Sequence, residues 1–343
     1  MKKNLVLIAL MLMTCIGTFA QSSLIATLSH DGQIKAYYGI DAFKEAHAAA
    51  VTGDVITLTG GTFNATTISK AITLRGAGML ADLNVNTYPT IISGDITFNV
   101  TDQEHRLTIE GVKFLNDVYI AGKLYRPYFQ KCIFSKIVQS GSNIGRLSFA
   151  TFLNCYINGW NHGYSSSFND NSTFINSLVL LPSYNSNGTS NSLIFTNCVI
   201  RFNSTVQYLR NSTVTNSIFV STSTSDVGTI NSNNVLYGCL ATGSNISNIF
   251  KNLTVGSNTI VADITKVFKE FNGNNYRDDI SFALTEEAAT TYLGTDNTQV
   301  GMFGGPLPFD PSISTLRITK CNVASKSTVD GKLSVDIEVS GVE

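Results

Sequence analysis

The sequence predicts an all-β chain wound into a parallel β-helix, and three observations predict it. A six-residue phrase rich in aromatic and β-branched residues recurs seven times at intervals of 19 to 23 residues. Its third position is Asn or Gly in six copies. No helix-period segment separates the copies, so each interval reads as one coil of short strands rather than a strand–helix unit.

The chain opens with Lys2 and Lys3, an apolar run from Leu5 to Ile16, and Thr18-Phe19-Ala20 before Gln21. This is the pattern of a secretory signal peptide spanning residues 1–20. Its apolar run is short for a transmembrane helix, and no later stretch could span a bilayer. The mature chain is therefore expected to be extracytoplasmic: secreted, periplasmic or on the outer cell surface. Next, residues 39–51 read as an alanine-rich capping helix with Ile40, Phe43 and Val51 near one face. An open solenoid needs such a cap over its first apolar rung. His47 is expected as a partly exposed residue of that cap.

The phrases follow, at Ile109 to Phe114, Phe129 to Phe134, Phe152 to Ile157, Phe174 to Val179, Phe195 to Ile200, Val214 to Phe219 and Leu236 to Ala241. Their third residues are Gly111, Lys131, Asn154, Asn176, Asn197, Asn216 and Gly238. Asn and Gly tolerate the left-handed backbone of a tight bend between strands. The first, fourth and sixth residues are expected to point inward, and coils about 4.8 Å apart would stack like residues into columns. Asn amides are expected to hydrogen-bond along their column. The fourth column reads Val112, Cys132, Cys155, Ser177, Cys198, Ser217, Cys239. Cysteine is thus a small buried residue here. With Cys321, five cysteines follow the signal peptide, and none has the Cys-x-x-Cys spacing of a zinc site. No metal or other cofactor is expected.

After the coils, residues 21–305 close as a capped body. Pro306 to Pro311 has the composition of a rigid linker, and residues 316–339 alternate like a small β-hairpin, making 306–343 an appendage. The net charge of −1 conceals a partition: +6 between residues 118 and 262, flanked by −4 before and −5 after. A basic body can attract an anionic polymer. With a pI near 6.4 and an export signal, nucleic acid is not an expected partner.

Two segments carry a family resemblance. Asp41 to Leu58, with Gly60 to Phe63 and Ile72 to Gly78, resembles the opening of pectin-lyase-like right-handed parallel β-helix proteins. Val267-Phe268, Tyr276, Phe282 to Leu284, Gly294 to Asp296 and Val300 to Gly305 resemble the closing section of secreted β-helix proteins of Bacteroidetes-type bacteria. The resemblance implies a right-handed parallel β-helix. It implies no single activity, because lyases, hydrolases, adhesins and other proteins share that fold.

The chemistries of such folds can be tested on the residues present. A glycosidase needs paired carboxylates. The coil body from residue 118 to 262 offers only Asp170 and Asp226, 56 residues apart, and Asp278-Asp279 is expected outside it. Asn161-His162-Gly163 matches a polygalacturonase signature only in part. A calcium-dependent lyase lacks its carboxylate cluster. A calcium-free polysaccharide lyase acting on a uronate-containing glycan could use Arg or Lys as base; this is the alternative reading. The favoured one is a non-enzymatic protein binding glycan or cell-surface components. Its candidate glycan-binding residues are Trp160, His162 and Tyr164 in one loop, and Arg201, Tyr208 and Arg210 on the next coils. Aromatic faces beside polar groups suit sugar rings. The other reading of that loop is a cover folded over the solenoid with Trp160 buried beneath it.

Overall fold

The computed structural model describes residues 24–81, 88–139, 145–162, 171–181, 192–203, 209, 211–253, 256–312, 317–323 and 335–340. The signal peptide, Tyr164, Tyr208, Arg210 and Asp170 lie outside the described residues. The chain is a nearly all-β parallel solenoid of about 8 turns. Strands before the bends build one sheet of eleven strands, and strands after them build one of twelve. On two coils a third face carries a short parallel ribbon, Lys123–Tyr125 against Arg146–Ser148.

Register follows the repeat. Phe129 pairs with Phe152, Phe152 with Phe174 and Phe174 with Phe195 on successive coils. Their rings stack inside the solenoid at 5.0, 4.9 and 4.7 Å, so a column of aromatics is spaced by the strand-to-strand distance. Cys132, Cys155, Cys198 and Cys239 form the second inward column, all buried and unbridged. Each thiol donates to the carbonyl two residues back and to one on the preceding coil: Cys198 Sγ lies 3.3 Å from both Thr196 O and Phe174 O. Ser177 Oγ makes the same pair of bonds to Ile175 and Phe152. The column therefore alternates freely between Cys and Ser, both small and able to satisfy these carbonyls. Sixth residues such as Phe134, Ile157 and Phe219 complete the interior.

The bends are left-handed, with φ of 53° at Asn154, 45° at Asn176, 52° at Asn197 and Asn216, and 59° at Gly238. Lys131 adopts the same conformation at φ 51°. The Asn amides do not run along their column as expected. Asn176 Nδ2 donates to Met302 O and Gly304 O, both at 2.8 Å, and Asn216 Oδ1 accepts from Thr295 N at 2.8 Å. They hold the closing section, whose course along the solenoid was not expected.

That segment, residues 263–312, folds back along the outer face of the twelve-strand sheet. The fifth residues of the phrases (Ile133, Tyr156, Leu178, Val199, Ile218, Leu240) point outward, yet all are buried. They pack with Phe268, Phe271, Phe282, Val300, Met302 and Phe309 in a second core. Close approach requires glycine at one point: a Cβ on Gly294 would sit 2.5 Å from the Asn216 side chain. The stretch expected as a linker is docked as well, with Phe309 stacked on Tyr156 at 5.2 Å and Asp310 paired to Lys131. Beyond it, Arg317–Val323 and Val335–Ser340 pair antiparallel as a hairpin.

The first coil is closed by an antiparallel hairpin, Ile25–His30 with Gln33–Tyr38, and by helix Ala42–Ala49. Phe43 and Ala46 bury the helix against the first rung. Lys70 Nζ donates to the carbonyls of His47, Ala48 and Ala50, satisfying the open helix terminus and its negative dipole end. His47 is buried rather than partly exposed, and its Nε2 accepts from Ser69 N at 3.3 Å.

Candidate functional site

The structure divides the sequence-derived candidates. Trp160 starts a strand, Trp160–His162, that pairs with the end of Ile133–Gln139. This register turns the indole inward: Trp160 is 6% exposed and meets Phe152 and Phe174 edge-on at 5.9 and 5.4 Å. Its ring is a core side chain and is not available as a sugar platform. His162 is placed by its backbone alone, opposite Gln139.

Arg201 leaves the twelve-strand sheet on its outer side, beneath the C-terminal cover. Its guanidinium lies 4.0 Å from the Tyr276 ring centroid and 5.5 Å from that of Phe271. Burial lowers its pKa from the ordinary arginine value. Beside it, Asn158 Nδ2 donates to Asp278 Oδ1 at 2.9 Å, the Tyr276 hydroxyl bonds Asn158, and Lys113 Nζ lies 2.7 Å from Asp278 Oδ2. Burial pushes the Tyr276 hydroxyl above the usual phenol value. Asp278, expected outside the body, is thus pinned to it. Tyrosine, arginine, lysine and aspartate converge here; the Tyr276 and Lys113 contacts with Asp278 hold the cover in place, while among the described residues the buried Arg201 Nε has no hydrogen-bond partner.

The charge partition receives the same explanation in part. Lys113–Asp278 and Lys131–Asp310 (3.1 Å) join the solenoid to the acidic C-terminal segment, and Lys136 pairs with Asp117 at 2.8 Å. Within the basic stretch, Lys131 and Lys136 thus answer an acid of their own chain, and Lys113 does so just before it. Among the described residues, Lys251 is exposed without a carboxylate partner, and so are Lys123 and Arg126, which stand three residues apart.

Those two belong to the ribbon. Tyr125 lies between them, with Arg126 Cζ 5.0 Å and Lys123 Nζ 5.9 Å from its ring centroid. Phe149 of the next coil meets Tyr125 edge-on at 5.5 Å and is 49% exposed. Register places Arg146 opposite Lys123. On the flank, Arg106 Cζ sits 4.8 Å from the Tyr128 ring centroid. A second column of left-handed bends runs here, two residues before five successive strands of the eleven-strand sheet: Arg126, Phe149, Asn171, Ser192 and Asn211, with φ of 52°, 55°, 42°, 39° and 49°. Asn and Ser are ordinary occupants of such a bend; a bulky Phe is not. Sequence reasoning missed this patch. The six-residue phrase begins three residues after each of these bends, and their mixed identities give no repeat of their own.

The outer face of the eleven-strand sheet is not covered by the C-terminal segment. Tyr128, Thr151, Thr173, Ile194, Thr213 and Val235 occupy one register position on six successive coils. Ile194, Val235 and Tyr237 are each more than a third exposed. Among the described residues, no group of three or more His, Cys, Asp or Glu side chains could hold a metal ion, and no helix is long and apolar enough to cross a membrane. No family model, curated protein or solved structure matches the chain.

Proposed function

We propose that this chain is an extracytoplasmic, non-enzymatic β-helix of the pectin-lyase-like kind that binds glycan. The observation that carries the reading is the open face of the eleven-strand sheet: hydroxyl, aliphatic and phenolic side chains repeat once per coil, an array suited to a repeating polymer of hydroxyls and apolar ring faces. The groups a lyase would need support the same reading from the other side. Lys113 and Tyr276 are bonded to Asp278, and Arg201 is stacked on the Tyr276 ring, so these groups are engaged in holding the cover to the sheet.

The test is a panel of neutral and acidic polysaccharides, read for binding by affinity electrophoresis and for turnover by the absorbance of unsaturated uronate. Retention by at least one glycan without absorbance change is expected. Steady growth of that absorbance would establish the lyase alternative. Failure to bind any member would remove the glycan reading.

A further inference from the structure

We infer that the ribbon Lys123–Tyr125/Arg146–Ser148 is a binding site for an acidic saccharide unit, with Tyr125 and Phe149 as its ring platform and Arg126 and Lys123 as its anion contacts. The inference rests on the glycan reading above and names the ligand class and its place. Three independent features meet at this one spot. The first is exposure: Phe149 presents half its surface to water, where an apolar ring gains nothing from folding. The second is backbone strain. Phe149 and Arg126 hold φ of 55° and 52° in a column whose next three members are Asn, Ser and Asn, so both occupy the bend at a local backbone cost. The third is charge. Among the described residues Lys123 and Arg126 stand together on one aromatic ring without a carboxylate, whereas Lys113, Lys131 and Lys136 each have one; Lys251 also lacks one but lies far along the solenoid.

The chemistry follows from these parts. Tyr125 and Phe149 meet edge-on, giving two apolar faces at an angle against which a pyranose C–H face can rest. The guanidinium beside Tyr125 offers a planar fork of donors that matches a carboxylate or sulfate in two parallel bonds, and Lys123 adds a point charge on the other side of the same ring. A neutral sugar would use the rings alone. An acidic one uses both, and its charge replaces the missing internal partner.

Substitutions that suit the left-handed bend make the test clean. Phe149→Asn and Arg126→Asn put the column's ordinary occupant in place, so folding is expected to be kept, with the melting temperature unchanged or raised. Titration calorimetry would use oligogalacturonate as the carboxylate probe, chondroitin sulfate as a sulfate-bearing probe, and a neutral xylo-oligosaccharide. The unmodified protein is expected to bind an acidic probe, more weakly as salt rises through physiological strength, where the Debye length is about 8 Å. Each substitution is expected to weaken that binding roughly tenfold, and Lys251→Ala, far along the solenoid, to leave it unchanged. The stronger of the two acidic probes identifies the anion. Acidic binding that survives the Phe149→Asn/Arg126→Asn double variant overturns the site but leaves the glycan reading. Binding of the neutral probe alone overturns the ligand class. Absence of binding to all three overturns both.

Discussion

The thiol and hydroxyl column shows how little separates a tolerated residue from a ruinous one. Cys155, Ser177, Cys198 and Ser217 each fill a gap behind a bend and donate to backbone carbonyls. Burial raises the Cys198 thiol to about 12, so it stays protonated and neutral. Cys198→Ser is therefore expected to change stability by no more than about 1 kcal/mol, since Ser177 already shows the hydroxyl geometry. Cys198→Asp places an unpaired carboxylate in the same gap and is expected to cost more than about 4 kcal/mol or abolish folding. Urea denaturation of the two variants checks both figures. This column was legible in sequence because it keeps a fixed distance from the bend residue in every phrase. The second bend column was not. Its members are Arg, Phe, Asn, Ser and Asn, so although each stands three residues before the first residue of its phrase, their identities do not announce a bend.

At the scale of elements, the N-terminal helix and the C-terminal cover were read with unequal success for one physical reason. The helix is local: an alanine-rich run around Phe43 defines it, although Ile40 and Val51, expected on its apolar face, are half exposed. The cover is irregular chain whose conformation is set by what it lies on. Phe271, Phe282 and Met302 could be listed from sequence, but their target, the outward fifth residues of six distant phrases, follows only from the wound solenoid. The helix yields a pH prediction. His47 is held neutral, its pKa lowered to about 4 from 6.5, chiefly by burial and further by the charge of Lys70. Its folded pKa is depressed, so the unfolded chain takes up the proton first as pH falls. Stability is fully present above about pH 6.5 and is lost between about 6.5 and 4, by an order-of-magnitude 2–4 kcal/mol. His47→Gln keeps an acceptor for Ser69 N and does not titrate. It is expected to flatten this limb, measured by urea melts at stepped pH between 7 and 5, above the range where ordinary carboxylates protonate.

For the whole molecule, the cover changes how the solenoid should unfold. In a bare solenoid each coil touches only its neighbours, and stability approximates a sum of local and nearest-neighbour terms, so distant coils can open separately. Here one continuous segment reaches Lys113 and Asn158 through Asp278, Asn216 through Thr295, Asn176 through Met302 and Gly304, and Lys131 through Asp310. These anchors lie on separate coils and are visited out of sequence order, so no single coil can be released without straining the strap across the others. Equilibrium unfolding is therefore expected to be a single transition, with calorimetric and van't Hoff enthalpies close to equal. Asn176→Gly with Asn216→Gly removes two anchors while keeping the left-handed bends unstrained. Each loss is worth about 1 kcal/mol as a hydrogen bond, more where a carbonyl is left buried and unmet. The expected result is a larger loss of cooperativity than of midpoint: the enthalpy ratio departs from unity, and fluorescence from Trp160 in the inner core no longer coincides with the far-ultraviolet signal of the sheets. Two coincident transitions of unchanged steepness in the double variant would mean that the apolar contacts of the cover alone couple the coils, and that the bend asparagines serve their own backbone more than the strap.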